Sequence, residues 1–255
     1  MTARTMDPIL DSIAAGERCF GLWISIPDRL SIETVGKAGY DFLILDGQHG
    51  GIGWDAVLPA IQTLDLNRAP AFVRVRANDP GLIMRALDLG ARGVIVPLVN
   101  DSSQAARAAR ATRYPPDGDR SYGPVRGYHV AGVTDALRPL CFVMIETVEA
   151  MSNLAAIAAT PGIDGLFVGP VDLGLSMGFD VEAALAWPSA VMEAVEKVVA
   201  VCARHKLVAG CPAFGMDNAR ALAERGVQFL PLGADVGLLR RAAAADLTQA
   251  HSWTR

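Results

Sequence analysis

Short, continuous apolar runs recur along the whole chain and alternate with segments whose apolar residues have helical spacing. Continuous apolar runs indicate strands that are covered on both faces, as in a parallel sheet. The pattern predicts eight strands, at residues 19–25, 41–46, 71–75, 93–99, 141–147, 165–170, 207–213 and 229–235. Helix-like segments lie between them, for example at residues 31–39, 79–90, 102–113 and 150–160.

Eight strand–helix units in a chain of 255 residues match the number and length of an α/β (β/α)8 TIM barrel. The sequence therefore predicts a single domain over residues 1–255, with a doubly wound open sheet as the alternative. The clearest helix has Asp79 as a candidate N-cap, Pro80 at its first position and Gly90 as its stop.

Two segments interrupt this regular alternation. Residues 113–132 are rich in glycine and proline and precede the fifth strand, whereas residues 177–190 separate the sixth strand from its helix. Loops of such length in compact domains are usually functional or disordered.

Composition narrows the class of protein. The formal net charge of −4 argues against a nucleic-acid-binding surface, and no apolar stretch reaches the roughly 18 residues of a membrane span. Residues 1–20 lack the apolar run of a signal peptide, so we expect a cytoplasmic protein with no membrane partner. The cysteines lack metal-ligand spacing and are predicted to be buried free thiols, namely Cys19, Cys141, Cys202 and Cys211.

Polar and aromatic residues collect where the predicted strands end. In a TIM barrel, the carboxyl ends of the strands form the rim that carries the chemistry. We therefore expect one site that contains Trp23, Asp46, Gln48, His49, Arg74, Arg76, Glu146, Asp172 and Phe214.

Glu146 and Asp172 end neighbouring strands and predict a site for a hard divalent cation, Mg²⁺ or Mn²⁺. The alternative for Glu146 is an acid that interacts with a helix dipole. Arg74 follows apolar residues and either stabilises an oxyanion or pairs structurally with Asp46. His49 is a candidate base that Asp46 could orient, although a lone histidine can also be structural.

Two glycine-containing turns complete the predicted site. Gly47, Gly50 and Gly51 suggest a turn whose backbone approaches something closely. In residues 169–173, backbone amides could hold a substrate carboxylate, although a plain strand-to-helix turn is equally consistent. Together these features predict a site for a small 2-oxo acid, with the logic of a metal-dependent aldolase.

The chain resembles the HpcH/HpaI family of class II, metal-dependent pyruvate aldolases over about residues 15–245. The motifs are GLW (21–23), LDGQHG (45–50), VRV…NDP (73–80), VPLV (96–99), RYPPDGDRS (113–121), IET (145–147) and VGPVDL (168–173). The resemblance implies a (β/α)8 barrel and a hexamer built as a dimer of trimers. It also implies that the C-terminal helix is exchanged between subunits.

The resemblance also implies roles for individual residues. Glu146 and Asp172 would bind Mg²⁺, Mn²⁺ or Co²⁺, Arg74 would stabilise an enolate, and His49 with Asp46 beside it would transfer a proton. Asp88 would assist from a neighbouring subunit. Residues expected to bind substrate are Trp23, Gln48, Gly169, Pro170, Val171, Arg120, Ser121, Tyr122 and Phe214, with Arg76 and Arg126 as further candidates.

The predicted function is a divalent-metal-dependent aldolase that uses pyruvate or hydroxypyruvate as enolate donor and an aldehyde as acceptor. Many relatives have Glu where this chain has Gln48, and a proline or small residue where it has Arg76, so the sequence leaves the substrate open. One alternative is a CoA-ester lyase or an oxaloacetate decarboxylase, although no basic run suits the CoA phosphates. Another is a non-catalytic protein that binds a 2-oxo acid, although a sensor needs no base.

Overall fold

The structure, a computed structural model, describes residues 8–126 and 139–253. Eight parallel strands pair in chain order, and β8 pairs with β1 to close a barrel. The strands are β1 Cys19–Ile24, β2 Phe42–Asp46, β3 Ala71–Arg74, β4 Gly93–Val96, β5 Leu140–Ile145, β6 Gly165–Val168, β7 Val208–Gly210 and β8 Phe229–Ala234. All eight predicted strands are confirmed, and the closed barrel excludes the open sheet.

Helices cover the outside of the barrel. They are α1 Pro8–Ala14, α2 Arg29–Gly36, α3 Trp54–Leu66, α4 Pro80–Asp88, α5 Ser102–Ala111, α6 Val148–Ser152, α7 Leu154–Ala158, α8 Pro170–Ser176, α9 Val181–Leu185, α10 Ser189–His205, α11 Met216–Glu224 and α12 Asp235–Ser252. The segment predicted as one helix at 150–160 forms the two short helices α6 and α7. Helix α4 starts as predicted, because the Asp79 carboxylate accepts a hydrogen bond from the amide of Leu82.

Aromatic side chains fill the inside of the barrel. The Phe229 ring contacts the rings of Phe42, Phe72, Phe142 and Phe167, with centroids 3.6 to 6.3 Å apart. A second layer of aliphatic residues packs between the strands and the helices. The barrel interior is therefore a packed core, and open space for chemistry remains only at its ends.

The strand alternation directs three polar residues to the inside at one end of the barrel. Asp46, Arg74 and Glu146 each follow an inward-facing core residue by two positions. Because successive side chains of a strand point to opposite faces, all three continue the inner row beyond the apolar core.

The cysteines and helices also bear on the predictions from composition. All four cysteines are free and buried, as predicted. Burial raises the pKa of Cys19 to about 11 and that of Cys202 to about 12, so these thiols are poor nucleophiles.

In the part of the chain that the structure describes, no helix is both long and apolar enough to cross a membrane.

Candidate active site

Asp46 and Arg74 form a largely buried ion pair at the rim. They are register partners on β2 and β3, and the guanidinium Nε and Nη2 lie 2.9 and 2.7 Å from the two carboxylate oxygens. The side chains are only 7% and 11% exposed, and the guanidinium lies 4.5 Å from the Trp23 ring centroid. The structural pairing that the sequence left open is therefore present.

The carboxylate of Asp46 also organises the turn that carries His49. Oδ1 accepts hydrogen bonds from the backbone amides of Gln48 and His49, both at 3.1 Å. Burial acts to raise the pKa of Asp46, but the hydrogen bonds and charge of Arg74 and these two amides outweigh it and hold the pKa below its usual value. Asp46 thus reaches His49 through the backbone, which differs from the predicted contact with the imidazole.

The glycines of this turn allow it to lie against the loop that follows β1. A Cβ on Gly50 would lie 2.6 Å from the carbonyl oxygen of Asp46 and 3.0 Å from the Cα of Ser25. The amide of Gly51 donates to the carbonyl of Ser25 at 2.8 Å. The predicted close backbone approach is confirmed, and the imidazole-bearing residue His49 is exposed at the tip of the turn.

Asp235 anchors the same loop from the other side, a role that no sequence pattern predicted. This first residue of α12 is 5% exposed, and its carboxylate accepts hydrogen bonds from the amides of Ser25 and Ile26, both at 3.0 Å. In the sequence it is only the last letter of a predicted strand. No local pattern indicates that it binds a loop more than 200 residues away.

Glu146 lies directly after β5 and is 3% exposed. Its Oε1 accepts a hydrogen bond of 2.6 Å from the amide of Leu98, and a Cβ on Gly169 would lie 2.6 Å from its Oε2. Burial raises the pKa of Glu146, and the negative charge of Asp172 raises it further, against the lowering effects of the Leu98 amide and Arg74. The negative charges of the two carboxylates therefore disfavour each other.

Such a pair fits a divalent cation, because a cation between the carboxylates would remove the repulsion and compensate the buried charge. Among the described residues, no group of three or more His, Cys, Asp or Glu side chains could hold a metal ion. A cation held by Glu146 and Asp172 would have two carboxylate ligands and further positions for water or substrate oxygens. This ligand set suits Mg²⁺ or Mn²⁺ better than Zn²⁺.

The short helix α8 begins beside Glu146. Gly169 is its N-cap, Pro170 occupies the first turn, and Asp172 is exposed in the same turn. The amides of Val171 and Asp172 belong to the first turn, where N–H groups have no partner within the helix. They are available to a carboxylate, although the geometry alone equally describes an ordinary start of a helix.

Three other predicted residues lie at this rim. Phe214 is 54% exposed, and its ring meets that of Trp187 edge-on at 5.7 Å. Gln48 has a buried Oε1 for which the described residues provide no hydrogen-bond partner. Arg76 is exposed beyond β3. Trp187, from the segment that interrupts the sixth unit, was not predicted as part of the site.

The residues of segment 113–126 lie at the opposite end of the barrel. Arg113 donates to the carbonyl of Pro139 and pairs with Asp164, and both of these residues come just before a strand begins. The guanidinium of Arg120 pairs with Asp88 at 2.8 Å, at the end of α4.

The predicted placement of Arg120, Ser121 and Tyr122 in the substrate pocket is therefore wrong within one chain. Arg120, Ser121 and Tyr122 cannot line the rim that their own chain forms around Glu146, because the barrel core lies between. Ser121 and Tyr122 are exposed at this opposite end. Arg126 lies there too, since its guanidinium pairs with Asp65 at the end of α3. Residues 127–132 of the predicted loop lie outside the described residues.

Two carboxylates, a largely buried arginine and an exposed histidine turn lie at one rim of a closed (β/α)8 barrel. This rim carries the active site in TIM-barrel enzymes. Residues 19–242 match the HpcH/HpaI aldolase/citrate lyase family. The chain belongs to this family.

Similar proteins agree with this assignment. A 4-hydroxy-2-oxo-heptane-1,7-dioate aldolase of Salmonella arizonae is 37% identical over 246 residues, which cover 92% of this chain and 91% of the relative. An HpcH/HpaI aldolase/citrate lyase family protein of Burkholderia cenocepacia J2315 superposes with a TM-score of 0.82 at 32% identity, covering 92% and 95% of the two chains. The citrate synthase SbnG superposes with a TM-score of 0.83 at 28% identity, covering 96% and 97%. The chain is thus an enzyme, a carbon–carbon lyase of the aldolase class.

Proposed function

We propose that the protein is a divalent-metal-dependent aldolase that enolises pyruvate or hydroxypyruvate and adds the enolate to an aldehyde, or cleaves the resulting aldol. The observation that carries the proposal is the buried Glu146 carboxylate, which accepts a hydrogen bond from the Leu98 amide at the same rim as Asp172 and Arg74. The similarity to a 4-hydroxy-2-oxo-heptane-1,7-dioate aldolase supports a 4-hydroxy-2-oxo acid as the compound cleaved.

Glu146 and Asp172 would hold Mg²⁺ or Mn²⁺, with Co²⁺ as a further candidate. When bound, such a cation supplies Lewis acidity at the keto oxygen of the donor. The amides of Val171 and Asp172, at the turn formed by Gly169 and Pro170, bind the donor carboxylate. Trp23 forms a wall of this donor pocket, since its ring already lies against Arg74.

Arg74 stabilises the negative charge that develops on the enolate oxygen. Its Nε and Nη2 bind Asp46, and the described residues offer no partner for its Nη1. The pair with Asp46 and the contact with Trp23 fix the plane of the guanidinium. Arg74 therefore needs no reorganisation when the charge appears.

His49 moves the proton to and from the aldol hydroxyl. Its position in an exposed turn suits a group that meets the incoming aldehyde. Asp46 orders this turn through two backbone hydrogen bonds. Gln48, Arg76 and Phe214 shape the acceptor side of the pocket.

Asp88 and the segment Arg120–Tyr122 act, in this proposal, at the rim of a neighbouring subunit of a hexamer. Two observations support an oligomer. Tyr122 is 63% exposed beside the Asp88–Arg120 pair. The apolar residues Leu239 and Leu247 of α12, and Trp253 directly after it, are 64%, 58% and 76% exposed. Exchange of α12 between subunits would cover them. The cytoplasmic location expected from the sequence stays a prediction.

The similarity to a citrate synthase favours one second candidate, the addition of a CoA-ester enolate to a 2-oxo acid. The two reactions share the enolate and differ in the donor. An assay with acetyl-CoA and oxaloacetate, which follows thiol release, distinguishes this candidate from the aldolase.

The test of the aldolase is pyruvate release from a panel of 4-hydroxy-2-oxo acids, coupled to NADH oxidation by lactate dehydrogenase. We expect release that requires Mg²⁺ or Mn²⁺ and that Glu146→Gln abolishes. Glu149→Gln is the matched control, because Glu149 is an exposed acid three residues further along. No pyruvate from any member of the panel, with thiol release in the acetyl-CoA assay, would favour the second candidate.

A further inference from the structure

Leu98, in the loop after β4, combines a strained backbone with an exposed side chain. Its φ is +53°, in the left-handed region that leucine rarely adopts, and its side chain is 55% exposed. Neither the fold nor side-chain packing explains a leucine here. Strained residues of this kind persist only where their surroundings hold them, and they cluster at functional sites.

The backbone is fixed on both sides of Leu98. Before it, β4 is locked in the barrel between β3 and β5. After it, Asn100 accepts a hydrogen bond of 2.6 Å from the Thr147 hydroxyl, and its carbonyl accepts one of 2.8 Å from the Asn153 side chain. The loop after β4 is therefore fastened to the segment that follows Glu146.

We propose that Leu98 is a positioning residue, whose left-handed backbone aims its amide at Glu146 and so fixes this carboxylate for cation binding. The inference rests on the proposed metal-dependent function. Leu98 N lies 2.6 Å from Oε1, and on the other side the bare Cα of Gly169 leaves room for Oε2. The Leu98 amide thus binds one carboxylate oxygen, and the missing side chain of Gly169 leaves room for the other.

The backbone conformation matters because both flanks of Leu98 are fixed. If φ were forced to a negative value, the peptide unit that carries the Leu98 N–H would have to rotate to absorb the change. The hydrogen bond to Glu146 would then weaken or break. Residues that orient a metal ligand typically contribute 10- to 100-fold in metal affinity.

Two substitutions at Leu98 separate the backbone from the side chain. Leu98→Ile keeps the number of atoms, but its branched Cβ disfavours a positive φ, whereas Leu98→Gly adopts this φ readily. Lys206→Ile is the matched control for strain. Lys206 has φ +58° and is exposed just before β7, at the opposite end of the barrel.

The measurement is the dissociation constant of Mn²⁺ alone, from the electron paramagnetic resonance signal of free Mn²⁺, together with the thermal midpoint. We expect Leu98→Ile to raise the dissociation constant about tenfold or more. Leu98→Gly should stay within about threefold of the unsubstituted protein, and Lys206→Ile should lower the thermal midpoint with Mn²⁺ affinity within the same limit.

Two results would overturn the inference: equal Mn²⁺ affinity of Leu98→Ile and Lys206→Ile, or a Leu98→Gly variant as weak as Leu98→Ile. If the unsubstituted protein itself binds no Mn²⁺, the proposed function fails and this inference fails with it. If instead all variants bind Mn²⁺ as well as the unsubstituted protein does, only the role of Leu98 is contradicted.

Discussion

Replacing Arg74 by methionine removes the guanidinium and leaves the Asp46 carboxylate buried behind it. The carboxylate, 7% exposed, loses the bonds of 2.9 and 2.7 Å and keeps only the two backbone bonds of 3.1 Å. Removing one partner of a buried ion pair costs about 3–5 kcal/mol. At about 2–4 °C per kcal/mol for a chain of this size, we expect the thermal midpoint at pH 7 to fall by roughly 6–20 °C.

The pH dependence of this loss has a defined sign. The pKa of Asp46 is lowered in the folded protein, so the pair contributes stability above the unfolded pKa of about 3.9. That contribution is lost as the pH falls through the lower folded pKa. The difference in thermal midpoint between Arg74→Met and the unsubstituted protein should therefore be full at neutral pH and should close only in strong acid.

Circular dichroism melts across a pH series measure both effects. The double variant Asp46→Leu with Arg74→Met is the control, and it should recover part of the loss because no buried charge remains. A single variant whose midpoint stays within about 2 °C of the unsubstituted protein at pH 7 would refute the buried-pair argument.

Three further changes test the neighbouring parts of the site. Glu146→Gln should abolish Mn²⁺ binding and should raise the thermal midpoint of the metal-free protein by roughly 1–8 °C, because the substitution removes a buried negative charge near that of Asp172. A lowered thermal midpoint would contradict this prediction. Gly169→Ala should weaken Mn²⁺ binding about tenfold or more, because the new Cβ would lie 2.6 Å from Glu146 Oε2. The control Gly237→Ala should leave Mn²⁺ affinity unchanged, and calorimetric titration compares the two variants. Asp235→Ala should lower the turnover number about 10- to 100-fold in the coupled assay, because this substitution frees the loop after β1, against which the His49 turn lies. An unchanged turnover number would show that this loop does not position the turn.

The sequence predicted the barrel because its strands are apolar on both faces, a pattern that depends little on distant contacts. It also predicted the rim around Asp46, Arg74 and Glu146, since strand ends share one edge of a closed parallel sheet. The same rule explains the misplaced pocket. Segment 113–126 precedes a strand, so its position at the other end follows from chain direction, and the sequence contained the information for this correction.

Asp235 and Leu98 act through contacts that no local sequence pattern encodes. Asp235 binds backbone amides at residues 25 and 26, on the other side of the closing β8–β1 pair. Leu98 acts through a backbone angle, and its side-chain type gives no indication of a positive φ. Sequence patterns report which side chains are buried, whereas these roles depend on where individual N–H groups point.

Deuterium exchange measures the enolisation of pyruvate directly, without any aldehyde. Protein reconstituted with Mg²⁺ or Mn²⁺ is incubated with pyruvate in D₂O, and the methyl signal is followed by proton NMR. We expect a loss of this signal that requires the cation and that does not occur with the Glu146→Gln and Asp172→Ala variants. A methyl signal that persists with and without the cation would contradict it.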